Sequence, residues 1–291
     1  MGKRTVYAWA AAAATILCFI VLMRVTPSIP QPQYYHNFAD KRQFFGIPNT
    51  LNVVSNLTFI VIGITGLVLC HYKNYFNIRS QGERWGWTCF YIGVIAVGLG
   101  SGYYHLEQNH PRLLWDRLPM TIAFTSLMAI LIIERVDEQM GTFSIIPLLL
   151  AGVISSLYWR FYDDLRPYTF VQFVACVAVP LMAVVLPPKY THSTYWLLAA
   201  GFYPLALVNE GMDRVVYTLT FHLVSGHTLK HLCAAMVPVI LSFMLANRTV
   251  ETQRRSLLNT WKASRTKVKE NGSNPQSGTY TQTSVPADKS D

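Results

Sequence analysis

Long apolar runs separated by short polar connections dominate the pattern of this sequence. Each run approaches the roughly 20 residues that an α-helix needs to cross a bilayer. The runs cover residues 5–23, 51–71, 85–105, 113–134, 143–161, 168–187, 194–211 and 221–246. Because lipid offers no hydrogen-bond partner to a peptide group, packed helices are the expected architecture. The pattern therefore predicts an all-α integral membrane protein, with a seven-transmembrane-helix bundle preceded by one extra N-terminal transmembrane helix.

The composition agrees with a membrane protein. Hydrophobic residues make up 52% of the chain and charged residues only 13%, whereas about a quarter of a soluble domain is charged. The formal net charge of +9 is concentrated in the connections and the C-terminal region. This positive charge is therefore evidence first of the orientation in the membrane, and only second of a nucleic-acid partner.

The changes in composition divide the chain into four parts. Residues 1–26 form a membrane anchor, which we favour over a cleaved signal peptide because its uncharged run is long. Residues 27–50 form a proline-containing connection on the lumenal side. Residues 51–246 form the seven-helix core, and residues 247–291 form a cytosolic tail that is first basic and then disordered.

The start of the tail combines positive charge with an apolar face. Leu257, Leu258 and Trp261 fall on one side of a helix, which indicates a segment lying on the membrane surface. A solvated juxtamembrane tail is the alternative. Residues 271–291 are rich in small and polar residues, so we expect them to be disordered.

Two histidines in the last apolar run are the first sign of chemistry. His227 and His231 are four residues apart and therefore share one helix face. Histidines are rare in membrane-spanning segments, and they usually face the bundle interior and mark a functional site. In isolation, each could equally be a hydrogen-bonded structural residue.

Other polar residues are predicted to meet this pair. Ser101 and His105 are four residues apart at the end of the third run, and Asp116 lies one turn into the fourth. The third helix ends on the side of the membrane where the fourth and the eighth begin, so these residues and the histidine pair can lie at one depth.

This set of residues predicts a hydrolytic metal site. Three histidines leave one position of a tetrahedral zinc ion open for water or substrate, and zinc lowers the pKa of bound water to about 7. An aspartate can then accept the proton, and a serine hydroxyl can donate a hydrogen bond to the oxyanion. An amide or ester presented by a lipid is the expected substrate.

The remaining polar residues near this side receive simpler interpretations. His222 is off the face of the histidine pair and is interpreted as interfacial. His36 and His110 lie in connections, where a solvated position is favoured over a role behind the metal ligands. Glu210 and Asp213 flank the last loop and are interpreted as charges at the rim of the site.

With these residues, the sequence resembles the alkaline ceramidase family. This family is part of a superfamily of seven-helix membrane hydrolases that also includes adiponectin-receptor-like proteins. The resemblance covers residues 35–245 and depends on three blocks, NVVSNL, GSGYYH…WDRLPM and HTLKH. It implies that His105, His227 and His231 are Zn²⁺ ligands. It also implies that Asp116 is the catalytic acid–base residue and that Ser101 supports the oxyanion or the water.

The sequence departs from the family pattern in the connection before the core. Animal members carry an acidic, tryptophan-containing stretch that binds calcium there. Here the stretch HNFADKRQFFGIPN contains one acid, Asp40, with two bases, and Asn49 takes the place of a glutamate. Because Ca²⁺ needs several oxygen ligands, these differences argue against a calcium site.

The resemblance implies a zinc-dependent amidase that hydrolyses the N-acyl bond of ceramide or phytoceramide within the lipid bilayer. Two alternatives stay open: a receptor-like or scaffold protein with structural zinc, and a phospholipid acyl-ester hydrolase. The sequence does not separate amide from ester hydrolysis. The expected location is the endoplasmic reticulum or Golgi membrane, with the plasma membrane as the alternative.

Charge in the connections predicts that both termini are cytosolic and that the metal site opens toward the lumen. Protease added to sealed microsomes should therefore remove a C-terminal tag without detergent. A tag placed in the connection 27–50 is the matched control and should be protected. Survival of the C-terminal tag until detergent is added would show that the orientation is reversed.

Overall fold

The computed structural model describes residues 2–73 and 75–263. The described part of the chain is built from α-helices and irregular connections, with only isolated β-bridges. The helices are α1 (Lys3–Val25), α2 (Thr50–Val54), α3 (Leu57–His71), α4 (Gln81–Leu106), α5 (His110–Arg135), α6 (Glu138–Tyr162), α7 (Arg166–Val185), α8 (Tyr195–Gly211), α9 (Asp213–Leu219) and α10 (Gly226–Asn247).

The prediction of an all-α membrane bundle is confirmed. Seven helical spans in the described residues are long and apolar enough to cross a membrane, and they include α1 and the combined span of α2 and α3. The remaining predicted span, the run at 194–211, corresponds to α8, which has 17 residues and is followed after one residue by α9. The run at 194–211 thus forms one helix, and the short helix α9 follows it before α10 begins.

Polar side chains at the helix starts explain where several helices begin. The side chains of Ser80, Asn109, Asp137 and Ser225 each accept a hydrogen bond from a backbone N–H three residues later. Such caps satisfy N–H groups that have no partner within the helix. The helices α4, α5, α6 and α10 therefore start where the sequence provides a capping residue.

Two predicted runs differ from the helices that form. The run at 51–71 is interrupted because the side chains of Ser55 and Asn56 both donate to the carbonyl of Asn52, a local bonding pattern that competes with helix continuation. The run at 221–246 becomes helical only at Gly226. Phe221 and His222 have positive φ angles of 52° and 66°, which a right-handed helix excludes.

Glycines allow the helices that carry the predicted site residues to approach closely. A Cβ atom on Gly100 would lie 1.9 Å from the carbonyl oxygen of Trp115, and one on Gly226 would lie 2.2 Å from that of Asn209. Both distances are below any real carbon–oxygen contact. Gly100 therefore permits the contact of α4 with α5, and Gly226 brings the start of α10 against the end of α8.

The helix α1 lies at the edge of the bundle. None of its membrane-span window is buried inside the protein, so its side chains are available to lipid. Phe19 contacts Phe170 of α7 with ring centroids 5.2 Å apart, and the Arg166 guanidinium donates to the carbonyls of Met23 and Thr26. The start of α7 thus holds the end of α1.

A buried ionic cluster closes the end of the bundle opposite the predicted site. The Arg248 side chain is fully buried between Glu83 of α4 and Glu134 of α5, and it donates to both carboxylates. Glu83 also accepts from Lys189 at 2.7 Å and from the hydroxyl of Tyr190 at 2.8 Å. Burial of these charges is tolerated because each carboxylate has a cationic partner.

The first part of the predicted tail folds onto this end of the protein. Residues 257–263 are helical, with Leu257 and Leu258 half-buried and Trp261 48% exposed. The basic residues Arg265, Lys267 and Lys269 and the segment 271–291 lie outside the described residues. The hypotheses that the basic stretch lies on the membrane surface and that residues 271–291 are disordered stay predictions.

The ionic cluster predicts a large stability effect for Arg248→Met. The substitution leaves Glu83 and Glu134 buried near each other without their shared cation, which should cost about 3–5 kcal/mol. The melting temperature of the purified protein in detergent measures the effect. Arg255→Met, an exposed arginine in the same segment, is the matched control and should change stability little. Glu134→Gln should partly restore Arg248→Met, and equal stability of the two arginine variants would contradict the prediction.

Candidate metal centre

Three histidines predicted from the sequence come together at one end of the bundle. His105 lies in the last turn of α4, and His227 and His231 lie in the first turns of α10. One ligand nitrogen from each lies within 4.8 Å of the others, and no residue of the three is more than 4% exposed. The structure therefore gathers a triad that could hold a metal ion.

The chemistry of this donor set suits zinc. The Nε2 atoms of His105 and His227 are 3.1 Å apart. In His231, Nδ1 lies 2.7 Å from the Ser55 hydroxyl, which fixes the ring and leaves Nε2 for a metal. Second-partner contacts of this kind orient the histidines of metal sites. Three imidazoles with one open position are the ligands of a catalytic zinc ion.

Asp213 positions the start of α10, although the sequence had suggested only a charge at the rim. One carboxylate oxygen accepts the backbone N–H of His227 at 2.8 Å, and the other accepts the backbone N–H of Ala39 at 2.7 Å. An acid at a helix N-terminus also interacts favourably with the helix dipole. This residue thus ties the histidine-bearing turn of α10 to the connection 27–50.

The break between α2 and α3 supplies further contacts to the triad. Besides Ser55, Asn56 lies beside His231, and its Nδ2 atom is 3.5 Å from His231 Nδ1. Asn52 accepts the hydroxyl of Thr228 at 2.9 Å. In the sequence, the NVVSNL block indicates the family resemblance but not these contacts. Polar residues in an apolar run were the available signal for a role at the site.

The connection 27–50 covers the triad with an aromatic side chain. The ring of Phe38 lies 4.1 Å from that of His227 and 5.2 Å from that of His105, measured between centroids. Phe38 is 6% exposed, so it separates this side of the triad from water. Nothing in the local sequence distinguished Phe38 from other apolar residues.

Ser101 and Asp116 lie at the polar end of an apolar chamber. The chamber has a volume of about 610 Å³, and its polar lining comprises Asn56, Ser101, Asp116, Lys230 and His231. Its apolar lining comes mainly from α3, α4, α5, α7, α8 and α10. All five predicted residues are thus either part of the triad or on the wall of the chamber that reaches it.

The chamber extends from the polar end toward the lipid-facing side of the bundle. Phe173 of α7 and Leu207 of α8 line it and are also exposed. The remaining lining is formed by aliphatic and aromatic side chains, which suit the alkyl chains of a lipid. A lipid entering along these helices would bring its polar group toward His231 and Asp116.

The only acid of the stretch HNFADKRQFFGIPN is already paired. The guanidinium of Arg42 donates from Nε to one oxygen of Asp40 at 2.9 Å and from Nη2 to the other at 2.7 Å. Asn49 donates from its amide to the carbonyl of His105 at 2.9 Å. Asp40 and Asn49 are therefore both engaged by other groups of the same chain.

These contacts predict that calcium neither stabilises nor activates the protein. Addition of about 1 mM Ca²⁺, which fills even weak extracellular-type sites, should leave the melting temperature and turnover unchanged relative to a calcium-selective chelator. Arg42→Gln frees the Asp40 carboxylate and serves as the comparison. Loss of turnover in the chelator, restored by Ca²⁺ alone, would show that the prediction is wrong.

Comparisons with known proteins agree with the geometry. The family model described as Ceramidase matches residues 45–267. A protein of Dictyostelium discoideum, named "Putative alkaline ceramidase dcd3A", is 26% identical over 122 residues, which are 41% of this chain and 39% of that relative. The family match extends over well more than half of the sequence and includes all five predicted site residues. The resemblance drawn from the three sequence blocks is thereby confirmed, and this chain belongs to the ceramidase family.

Proposed function

We propose that this protein is a membrane zinc amidase that hydrolyses the N-acyl bond of ceramide or phytoceramide, releasing a sphingoid base and a fatty acid. The observation that carries the proposal is the continuity of the apolar chamber with the histidine triad, with Ser101 and Asp116 on the shared wall. The family match supports a ceramidase-type hydrolase.

The triad would bind the metal through His105, His227 and His231. Zinc, when bound, polarises a carbonyl and lowers the pKa of water, and it therefore supplies the electrophilic part of the chemistry. Ser55 and Asp213 hold His231 and His227 in place, and Phe38 limits access of bulk water to the rings. A water-poor site strengthens the electrostatic interactions within it.

Asp116 and Ser101 would act on the substrate from the chamber wall. Asp116 is 7% exposed and lines the same chamber as His231, so it can accept a proton from the attacking water and return it to the leaving amine. Ser101 can donate its hydroxyl proton in a hydrogen bond to the oxygen that gains negative charge. The acyl chain and the sphingoid tail would occupy the apolar part of the chamber.

The same chamber would accept other acyl lipids, so the substrate is tested directly. A panel of ceramides and phospholipids is incubated with the purified protein, with and without a zinc chelator. Release of a sphingoid base that the chelator abolishes supports the proposal, whereas release of fatty acid from phospholipid alone would favour an ester hydrolase. The proposed location is the endoplasmic reticulum or Golgi membrane.

Substitutions separate metal binding from proton transfer. His231→Ala should lower zinc content and turnover together, because it removes a proposed ligand. Asp116→Asn should keep the metal while lowering the rate by at least about 10²-fold. Ser101→Ala should lower it by about 10²–10³-fold at most.

Zinc per protein is measured by elemental analysis, and turnover by the sphingoid base released. His222→Ala changes an exposed histidine outside the triad and is the matched control for His231→Ala. Full zinc content with wild-type turnover in His231→Ala would refute the proposed site. Zinc retained by a wild-type protein that turns over no lipid would instead favour a receptor-like protein.

A further inference from the structure

A buried arginine next to the catalytic candidate has no part in the proposed reaction. Arg117 follows Asp116 on α5 and is 7% exposed. Its guanidinium carbon lies 4.5 Å from the ring centre of Trp159, 5.0 Å from Tyr168 and 5.1 Å from Tyr35. Within residues 2–73 and 75–263, no carboxylate oxygen lies within 4.0 Å of its nitrogens. A buried cation without a paired anion is costly unless another group compensates it.

Several polar atoms around Arg117 also lack partners. Buried polar side-chain atoms without a hydrogen bond number ten in the described part of the chain, and four lie in this cluster: Arg117 Nη1, His36 Nε2, His110 Nδ1 and Trp159 Nε1. The rings of His36 and His110 are 5.8 Å apart, and those of His110 and Trp159 are 5.4 Å apart. Four buried polar atoms without hydrogen bonds in one cluster indicate that a binding partner is missing.

The unpartnered atoms are mainly donors, so the missing partner must be an acceptor. Guanidinium and indole nitrogens can only donate. Burial, with His110 and Arg117 nearby, lowers the pKa of His36, and the neutral ring can accept the Tyr104 hydroxyl at Nδ1, 2.8 Å away. Its proton then lies on Nε2. His36 is therefore not the solvated loop histidine that the sequence suggested.

His110 differs from Arg117, His36 and Trp159 because an acidic side chain lies close to it. Its Nε2 atom lies 3.4 Å from a carboxylate oxygen of Asp163, whose side chain is 53% exposed. With Nε2 facing this acid, Nδ1 is the ring nitrogen of His110 that is left without a partner. His110 is also the first residue of α5 and packs against Trp159. It therefore does not lie free in a connection, as the sequence suggests.

The other acids near the cluster do not neutralise Arg117. Glu210 is 2.5 Å from the Lys230 ammonium and accepts the Tyr35 hydroxyl at 3.3 Å. Asp163 accepts the backbone N–H of Gln31 at 3.0 Å as well as facing His110. Asp116 is adjacent along the chain, but it lies beyond ion-pair distance and lines the chamber.

We propose that Arg117, His36, His110 and Trp159 form a binding site for an oxyanion, a carboxylate or phosphate group, beside the histidine triad. The planar fork of an arginine matches either group, and charge-assisted hydrogen bonds to an anion are stronger than those to neutral water. The aromatic rings around the guanidinium limit competition from bulk water.

A carboxylate is the expected occupant, because the proposed reaction releases one at each turnover next to Asp116. This choice of occupant rests on the proposed function, whereas the oxyanion site itself does not. The site would receive the fatty-acid carboxylate as it leaves the metal. A lipid headgroup phosphate is the other source of the same chemistry, and the test distinguishes the two.

The test measures anion binding to the zinc-loaded full chain in detergent. Sodium octanoate or sodium phosphate is titrated at constant ionic strength while the melting temperature is recorded, with octanol as the control for the alkyl chain. The wild-type melting temperature should rise by several degrees, more with octanoate than with phosphate, because a bound ligand stabilises the folded state. A larger response to phosphate also supports the oxyanion site and identifies a headgroup as its source.

Arg117→Met should abolish the rise and keep the zinc content, since an apolar side chain of similar length replaces an unpaired buried cation. Arg112→Met is the matched control, because Arg112 lies on the same helix in a partly exposed pair with Glu107, and it should keep the rise. His36→Phe should reduce the response while leaving Arg117 in place.

Two results would overturn the proposal. One is the absence of any rise in the wild-type protein with either anion, which would mean that water satisfies these donors. The other is a rise that persists unchanged in Arg117→Met, which would place the anion on the metal. Neither result depends on turnover, so failure of the oxyanion site is distinguishable from failure of the proposed amidase.

Discussion

Three imidazoles buried together are the constraint around which this protein is arranged. Their nitrogens lie within 4.8 Å of one another, and removing polar groups from water without a partner is costly. A metal ion satisfies the requirement, but only if two helices distant in sequence present their rings at one depth. Gly100 allows α4 to approach α5 closely, and Gly226 allows the start of α10 to approach the end of α8.

The surroundings of the triad combine rigidity with selective access. Ser55, Asp213 and Phe38 restrain the triad from three parts of the chain, while the chamber leaves one side open to an apolar molecule. Positive and negative side chains near the chamber are largely paired, as in Lys230 with Glu210. Arg117 is the exception, and its position beside Asp116 places an unpaired cation near the proposed chemistry.

Much of this arrangement follows from periodicity and topology. The apolar runs predict the membrane helices, and the four-residue spacings of Ser101 with His105 and of His227 with His231 predict shared faces. The alternation of helix direction then predicts that these faces meet. The capping residue Ser225 also explains why α10 starts later than hydrophobicity suggested.

The remaining contacts depend on the three-dimensional path of irregular segments. Phe38, Asp213 and His36 act at the site because the connection 27–50 folds back over the bundle, which hydrophobicity does not encode. The pairing of Arg248 with Glu83 joins residues 165 positions apart, and its sequence signal is no stronger than that of any charge near a membrane helix end. Such contacts are specified by packing that involves the whole bundle.

The position of Arg248 also has a consequence for biosynthesis. During translation, Glu83 and Glu134 emerge well before Arg248, so these two acids lack their shared cation until α10 and the residue that follows it have been made. The same helix carries His227 and His231 at its other end. Insertion of α10 therefore completes both the ionic cluster and the histidine triad, which makes assembly of the triad and closure of the opposite end a single late event in the assembly of the bundle.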